Sequence, residues 1–236
     1  MTDLRNRLLA SLPSDVLAEV SQYLRPVQFV QEHVIYRAGD RVGQVYFPET
    51  GLVSYLGGVA SGDRIEIAMV GRESVVGIAL ALADPVALHA AIAQTTGQGY
   101  ALDAGVLRRA AERHAPLRRT LLRHHEVVLA QVQQSVLCNL THTVEQRLAR
   151  WLLRAHDLTG RGTLDLTQEF LADMLGVRRA SVSSVAQALQ EAGVIAYRRG
   201  QIQILDADGL RAAACECYGV VKHHYDRLIA PVTETR

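Results

Sequence analysis

A strong charge of one sign is missing from this sequence: 25 Lys and Arg stand against 24 Asp and Glu, for a formal net charge of +1 over 236 residues. Binding of a polyanion through bulk charge is thereby excluded, so any such activity must come from a local patch. Cysteine is scarce and odd in number, with Cys138, Cys215 and Cys217 alone, which argues against a disulfide framework and fits a reducing cytoplasm. The first residues carry Asp3 and Asp15 around a short apolar stretch and lack the long apolar region and small-residue cleavage site of a secretory signal. The longest apolar run, 75–93, is interrupted by Asp84, Pro85 and His89, so no membrane span or membrane partner is expected. A catalytic constellation is missing too. The expected strands and their flanks hold only His33 and His89, without the clustered histidines and carboxylate of a metal-dependent β-roll enzyme.

What is present changes period along the chain. Leu8, Leu9 and Leu12, then Val16, Leu17, Val20 and Leu24, recur at helical spacing on either side of Pro13, and Ser14 and Asp15 can cap the second piece. From Val27 the pattern becomes short strand-like runs, VQFV, HVIY, QVYF, LVSYL and RIEIAMV, separated by turn residues that include the 57–62 region. Such spacing implies a barrel, sandwich or β-roll. After Tyr100 helical patterns return: a short helix over 104–114, then a long one over 116–140 with Pro116 in its first turn. That long helix carries Leu117, Leu121, Val128, Val132 and Val136 on one stripe, widened by Leu122 and Leu129. A second copy of the chain is the economical cover for the stripe, and burial within the monomer is the alternative. A further amphipathic helix spans 144–156 and is broken by Gly160, Arg161 and Gly162. The domains expected are therefore 1–115, a β-roll with N-terminal helices; 116–141, a dimerisation helix; and 142–236, a second globular unit with a helical tail.

The segment 167–205 concentrates the functional signal. Thr167 can cap a helix that buries Phe170, Leu171, Met174 and Leu175, and Gly176 ends it in a tight turn. A second helix from Arg178 to about Ala192 buries Val182, Val185, Ala186 and Leu189 and stops at Gly193. Two short helices joined by a glycine turn form a helix-turn-helix pattern. The runs VIAY and QIQIL flank Arg198-Arg199-Gly200 as a small hairpin, or wing. Ala180, Ser181, Ser183 and Ser184 keep the second helix slim enough for a major groove, with Arg178 and Arg179 at its start, where base edges are reached. Between Met174 and Leu205 four arginines face one acid, Glu191, which is the local patch that the whole-chain charge conceals. The expected DNA contacts are Thr167, Gln168, Arg178, Arg179, Ser181, Ser183, Ser184, Arg198 and Arg199. A winged helix that docks on protein instead is the competing class.

LTQEFLADMLGVRRASVSSVAQALQEAGVI resembles the helix-turn-helix signature of the Crp/Fnr superfamily. VIYRAGDRVGQVYFPETGLV, through Gly39, Asp40, Tyr46, Phe47 and Gly51, is similar to that family's effector-domain pattern. The resemblance covers nearly the whole chain. It implies an α+β fold with an N-terminal cyclic-nucleotide-binding-like β-roll, a long dimerisation helix and a C-terminal winged helix-turn-helix. It further implies a cytoplasmic, homodimeric transcription regulator on a palindromic double-stranded DNA site, with RNA polymerase as a candidate partner. By position Arg179 looks like the family's guanine-reading arginine, while Ala180 and Ser184 stand where the cyclic AMP receptor protein has a glutamate and a second arginine, so its operator is not assumed.

Members that bind a cyclic nucleotide hold the ribose with a Gly-Glu pair and the phosphate with an arginine about ten residues on. Here Arg72, Glu73, Gly77 and His89 are the candidates for an effector pocket, but Ile78 follows Gly77 and the expected arginine falls at Leu88-His89. A guanidinium contact to phosphate is poorly replaced by histidine. No cofactor is expected, and cyclic nucleotide is argued against. Fnr-like oxygen sensors use N-terminal cysteines, absent before Cys138. Cys215 and Cys217, read as lying on one tail helix, cannot share a face and complete no ligand set; no metal is expected. The adjacent pairs His124-His125 and His223-His224 are read as solvated or interfacial.

Overall fold

The computed structural model describes residues 4–58, 64–83 and 85–229; the turn expected over 57–62 therefore falls largely outside the described residues. Two short helices, α1 (Arg7–Ala10) and α2 (Ser14–Ser21), open the chain, divided at Pro13 as its sequence requires. Asn6 caps α1 by accepting from the Leu9 N–H, and its buried amide donates to the carbonyls of Pro48 and Ser74 at 2.8 and 2.9 Å.

The strands β1 (Arg25–Phe29), β2 (Val34–Tyr36), β3 (Gln44–Pro48), β4 (Val53–Gly58) and β5 (Arg64–Val70) follow. The helix α3 (Ile78–Leu82) and the strands β6 (Ala90–Ala93) and β7 (Gly97–Asp103) complete the N-terminal unit. They build two antiparallel sheets, ordered β1-β7-β3 and β2-β6-β4-β5, as a β-roll. The run 75–93 thus divides between a five-residue helix and a strand, and among the described residues no helix is long and apolar enough to cross a membrane.

The helix α4 (Ala104–Arg113), capped by Asp103, leads into the 27-residue helix α5 (Ala115–Thr141). The helix α6 (Val144–Thr159) starts with a Thr143/Gln146 capping box and ends at Gly160, whose φ is +66°. Reciprocal capping of this kind satisfies donors that the first turn leaves unpaired. Beyond it lie β8 (Thr163–Asp165), α7 (Gln168–Leu175), α8 (Arg179–Glu191), β9 (Ile195–Arg198), β10 (Gln201–Ile204), α9 (Ala207–Ala213) and α10 (Cys217–Ile229). The strands form a sheet ordered β8-β10-β9. Its core gathers Trp151, Leu152, Leu171, Leu175, Val182, Leu189, Ile202 and Leu210, and reaches Leu52 and Met69 of the β-roll.

Candidate nucleic-acid interface

The helix pair α7–α8 is set by local chemistry. The Thr167 hydroxyl accepts from the Phe170 N–H at 3.1 Å, and Gly176 closes α7 at φ +62°, a conformation open to glycine at little cost. From beneath, the buried Arg147 guanidinium donates to the Leu175 carbonyl, satisfying an acceptor that the helix end leaves free. Val182, Ala186 and Leu189 bury the inner face of α8. Arg178 is its N-cap, so the helix begins at Arg179, one residue later than expected.

The outer face is open. Arg178, Arg179, Ala180, Ser184, Gln187 and Ala188 are exposed. Arg198 and Arg199 are exposed in the wing, where Arg199 and Gly200 take φ +49° and +81°, the paired positive values of a tight hairpin turn. Not every expected contact points outward: the Ser183 hydroxyl is bonded to the Gln168 side-chain oxygen, so these two hold α7 to α8. Ser181 is half-buried, and Thr167 and Arg178 border a cleft of about 890 Å³ between the helix-turn-helix and the β-roll. Sequence reasoning missed Gln187, which stands exposed one turn beyond Ser184 and donates to Glu191 at 2.9 Å. Its periodicity on the face opposite Val182 and Ala186 was the available signal. Arginine and glutamine on such a face match the acceptor and donor edges of guanine and adenine.

The candidate effector pocket is not assembled. Glu73 is 6% exposed and paired with Arg154 of α6, and Arg72 donates to the Asp157 carbonyl at 3.0 Å. Gly71 lies so close to Leu158 that a Cβ there would meet it at 2.9 Å. The reading of Arg72 and Glu73 as pocket residues is therefore corrected: they fasten the β-roll to the second unit, because α6 covers the turn that carries them. Arg154 also stands 4.5 Å from the centre of the Tyr225 ring, which adds α10 to the junction. Gly77 donates its N–H to the Tyr55 hydroxyl at 2.9 Å, and His89 packs on Tyr55 with ring centres 4.2 Å apart. Burial holds the His89 pKa below its ordinary value, which favours the neutral ring. Leu88 is 90% exposed.

The apolar stripe of α5 also needs correction. Leu117 and Leu121 are fully buried in the core of the N-terminal unit and Val128 is buried in the β-roll, with Val132 packed beside it. These four face their own chain, where a fully buried side chain such as Leu117 or Leu121 contributes about 1.5–3 kcal/mol; of the five residues read as an interface, only Val136 is exposed. The bare apolar side chains of α5 are Leu122, Leu129, Val136, Leu137 and Leu140. His124, read as solvated or interfacial, is buried, and desolvation lowers its pKa to about 3.

The reading of the cysteines fails for a geometric reason. Cys215 lies in the loop between α9 and α10 and Cys217 begins α10, so the two do not diverge around one helix. Their thiols converge with Cys138 and His142.

Two family models match the chain: the cyclic nucleotide-binding domain over residues 26–114 and the Crp-like helix-turn-helix domain over 146–213. No curated protein matches the sequence. Solved structures do. FixK2 from Bradyrhizobium japonicum is 21% identical with a TM-score of 0.69, covering 81% of this chain and 98% of its own. A CRP-family transcriptional regulator from Thermus thermophilus is 26% identical with a TM-score of 0.65, covering 80% and 96%. The c-di-GMP responsive regulator CLP of Xanthomonas campestris is 16% identical with a TM-score of 0.62, covering 81% and 99%. With both domains in this order, the chain belongs to the Crp/Fnr superfamily of transcription regulators.

Proposed function

We propose that this regulator binds a palindromic operator as a homodimer, inserting α8 into the major groove and resting the wing on phosphates. The observation that carries the reading is the exposed surface of Arg178, Arg179, Ser184 and Gln187 on α8, with Arg198 and Arg199 in the adjoining wing. Base-reading side chains on a slim helix beside phosphate-directed arginines are the two kinds of contact that a sequence-specific duplex binder combines. Dimerisation is supported by Leu122, Leu129 and Val136, exposed at a spacing of seven residues on α5, the repeat by which two helices pair along a seam. The protein works in the cytoplasm as a regulator and not as an enzyme, with RNA polymerase as its candidate protein partner. Selection from random duplex oligonucleotides tests this: a two-fold motif with half-sites about one helical turn apart is expected, and recovery of unrelated sequences rejects it.

Regulation does not use cyclic AMP or cyclic GMP. Glu73 is committed to Arg154, and Leu88 and a desolvated His89 offer no cation to a cyclic phosphate. Calorimetry with both nucleotides is expected to show no micromolar binding. A clear isotherm would contradict the reading and send attention to Arg64 and the cleft beside α7.

A further inference from the structure

Cys138, His142, Cys215 and Cys217 each offer one ligand atom, and these four atoms all lie within 4.8 Å of one another. The Sγ atoms of Cys138 and Cys215 are 3.5 Å apart, and Cys217 Sγ is 3.6 Å from His142 Nδ1. A tetrahedral zinc ion with Zn–S bonds of ~2.3 Å and Zn–N bonds of ~2.0–2.1 Å requires ligand atoms roughly 3.3–3.8 Å apart. The group is too compact for a polynuclear iron-sulfur cluster, in which the thiolates sit on different irons. All three cysteines are buried free thiols.

We propose that these four side chains form a closed Cys₃His site for a structural divalent cation of the zinc class. Apolar packing alone accounts for buried cysteines, but not for what surrounds them. His142 Nε2 lies 3.2 Å from a Glu216 carboxylate oxygen, the carboxylate–histidine arrangement that fixes the tautomer and turns the other ring nitrogen toward a metal. The Thr141 hydroxyl near Nδ1 directs its proton to the Leu137 carbonyl at 2.7 Å, leaving the Nδ1 lone pair free for a cation. Gln134 donates to Cys217 Sγ at 3.0 Å, a bond that supports a thiolate. Three thiolates and one divalent ion leave a net negative charge, and the guanidinium groups of Arg150 and Arg147 supply electrostatic compensation.

The location gives the site a structural role. Cys138 lies in the last turn of α5 and His142 is its C-cap, directly before the Thr143 cap of α6, while Cys215 and Cys217 flank the α9–α10 connection. An ion there would tie the end of the long helix to the tail of the winged-helix unit across the point where the chain passes from one to the other. Binding energy of this kind is folding energy.

The test begins with metal analysis of the purified full chain, which is expected to carry one zinc per polypeptide. Cobalt(II) added after chelator treatment should give the visible bands of a tetrahedral ion and a sulfur-to-cobalt charge-transfer band, both abolished by stoichiometric zinc. Cys138→Ser and Cys215→Ser should lose the zinc and lower Tm. Glu216→Gln should keep the bands but weaken zinc about 10–100-fold; it also decides the matter should the serine variants fail to fold. The proposal is overturned by a chain that binds neither zinc nor cobalt stoichiometrically, by bands that persist in Cys138→Ser, or by a Cys138–Cys215 disulfide in freshly purified protein.

Discussion

Arginine does opposite work in two regions of this molecule. At the junction between the β-roll and α6, Arg154 is 4% exposed, paired with Glu73 and stacked on Tyr225, and Arg147 is 7% exposed and bonded to the end of α7. At the start of α8 and in the wing, on the proposed recognition surface, Arg178, Arg179, Arg198 and Arg199 are all exposed, and none makes a salt bridge among the described residues. In the first group, Arg154 fastens α6 to the β-roll and Arg147 fastens α6 to α7 within the second unit, and both are turned away from solvent. The second group keeps its charge available for an external anion. A chain with a net charge of only +1 can still present a cationic face, because some of its arginines are buried inside and others are gathered outside.

The largest loss of stability is expected at the junction. Arg154→Ala leaves Glu73 buried without its partner, and removing one member of a buried pair costs about 3–5 kcal/mol. Denaturant unfolding should show that loss as a lower midpoint, and an unchanged midpoint would mean that the pair is not desolvated as described. The outer face of α5 comes next. Leu129→Glu together with Val136→Glu places like charges on the proposed seam and should give a folded monomer by sedimentation. Val128→Glu, on the inner face, should instead destabilise the fold itself, so the two faces of one helix fail differently.

A pH dependence sharpens the interior side of the contrast. Glu66 on β5 is bonded to Ser54, and its burial raises its pKa from 4.5 to about 7 despite the nearby cations of Arg150 and Arg154. The folded state then holds a proton that the unfolded chain releases, so this group's contribution is fully present below pH 4.5 and is lost as the pH rises through 7. Glu66→Gln should flatten the fall in stability between those values. Parallel stability–pH curves for the two proteins would contradict the assignment.

Legibility followed the range of the interactions. Thr167, Gly176, Gly193 and Arg199-Gly200 act within a few residues of themselves, so the helix pair and its wing stood plainly in the sequence. The β-roll was readable as a class, yet α3 and β6 were not separated within the apolar run 75–93, because burial removes the alternation that marks strands, and β7, beyond that run, was not read as a separate strand. Periodicity found the stripe of α5 but not its partner: Leu117, Leu121 and Val128 meet the β-roll, and only the folded chain shows that the bare face is one step around, at Leu122, Leu129 and Val136. Arg72 and Glu73 were misread for the same reason, since α6 covers them from 81 residues away. The Cys₃His cluster depended on a loop between α9 and α10 that was read as continuous helix.

The exposed arginines carry the smaller energies and the central claim. An arginine reading guanine in the major groove is worth roughly 1–3 kcal/mol of discrimination, whereas a phosphate contact adds affinity without reading sequence. Selection from random oligonucleotides, repeated with Arg179→Ala and Arg198→Ala and followed by salt titration, separates the two. Arg179→Ala should relax one position in each half-site, and Arg198→Ala should keep the motif, weaken all sequences alike and lower the salt slope by about one. An unchanged motif for Arg179→Ala combined with an altered motif for Arg198→Ala would contradict the assignment of reading to α8 and anchoring to the wing.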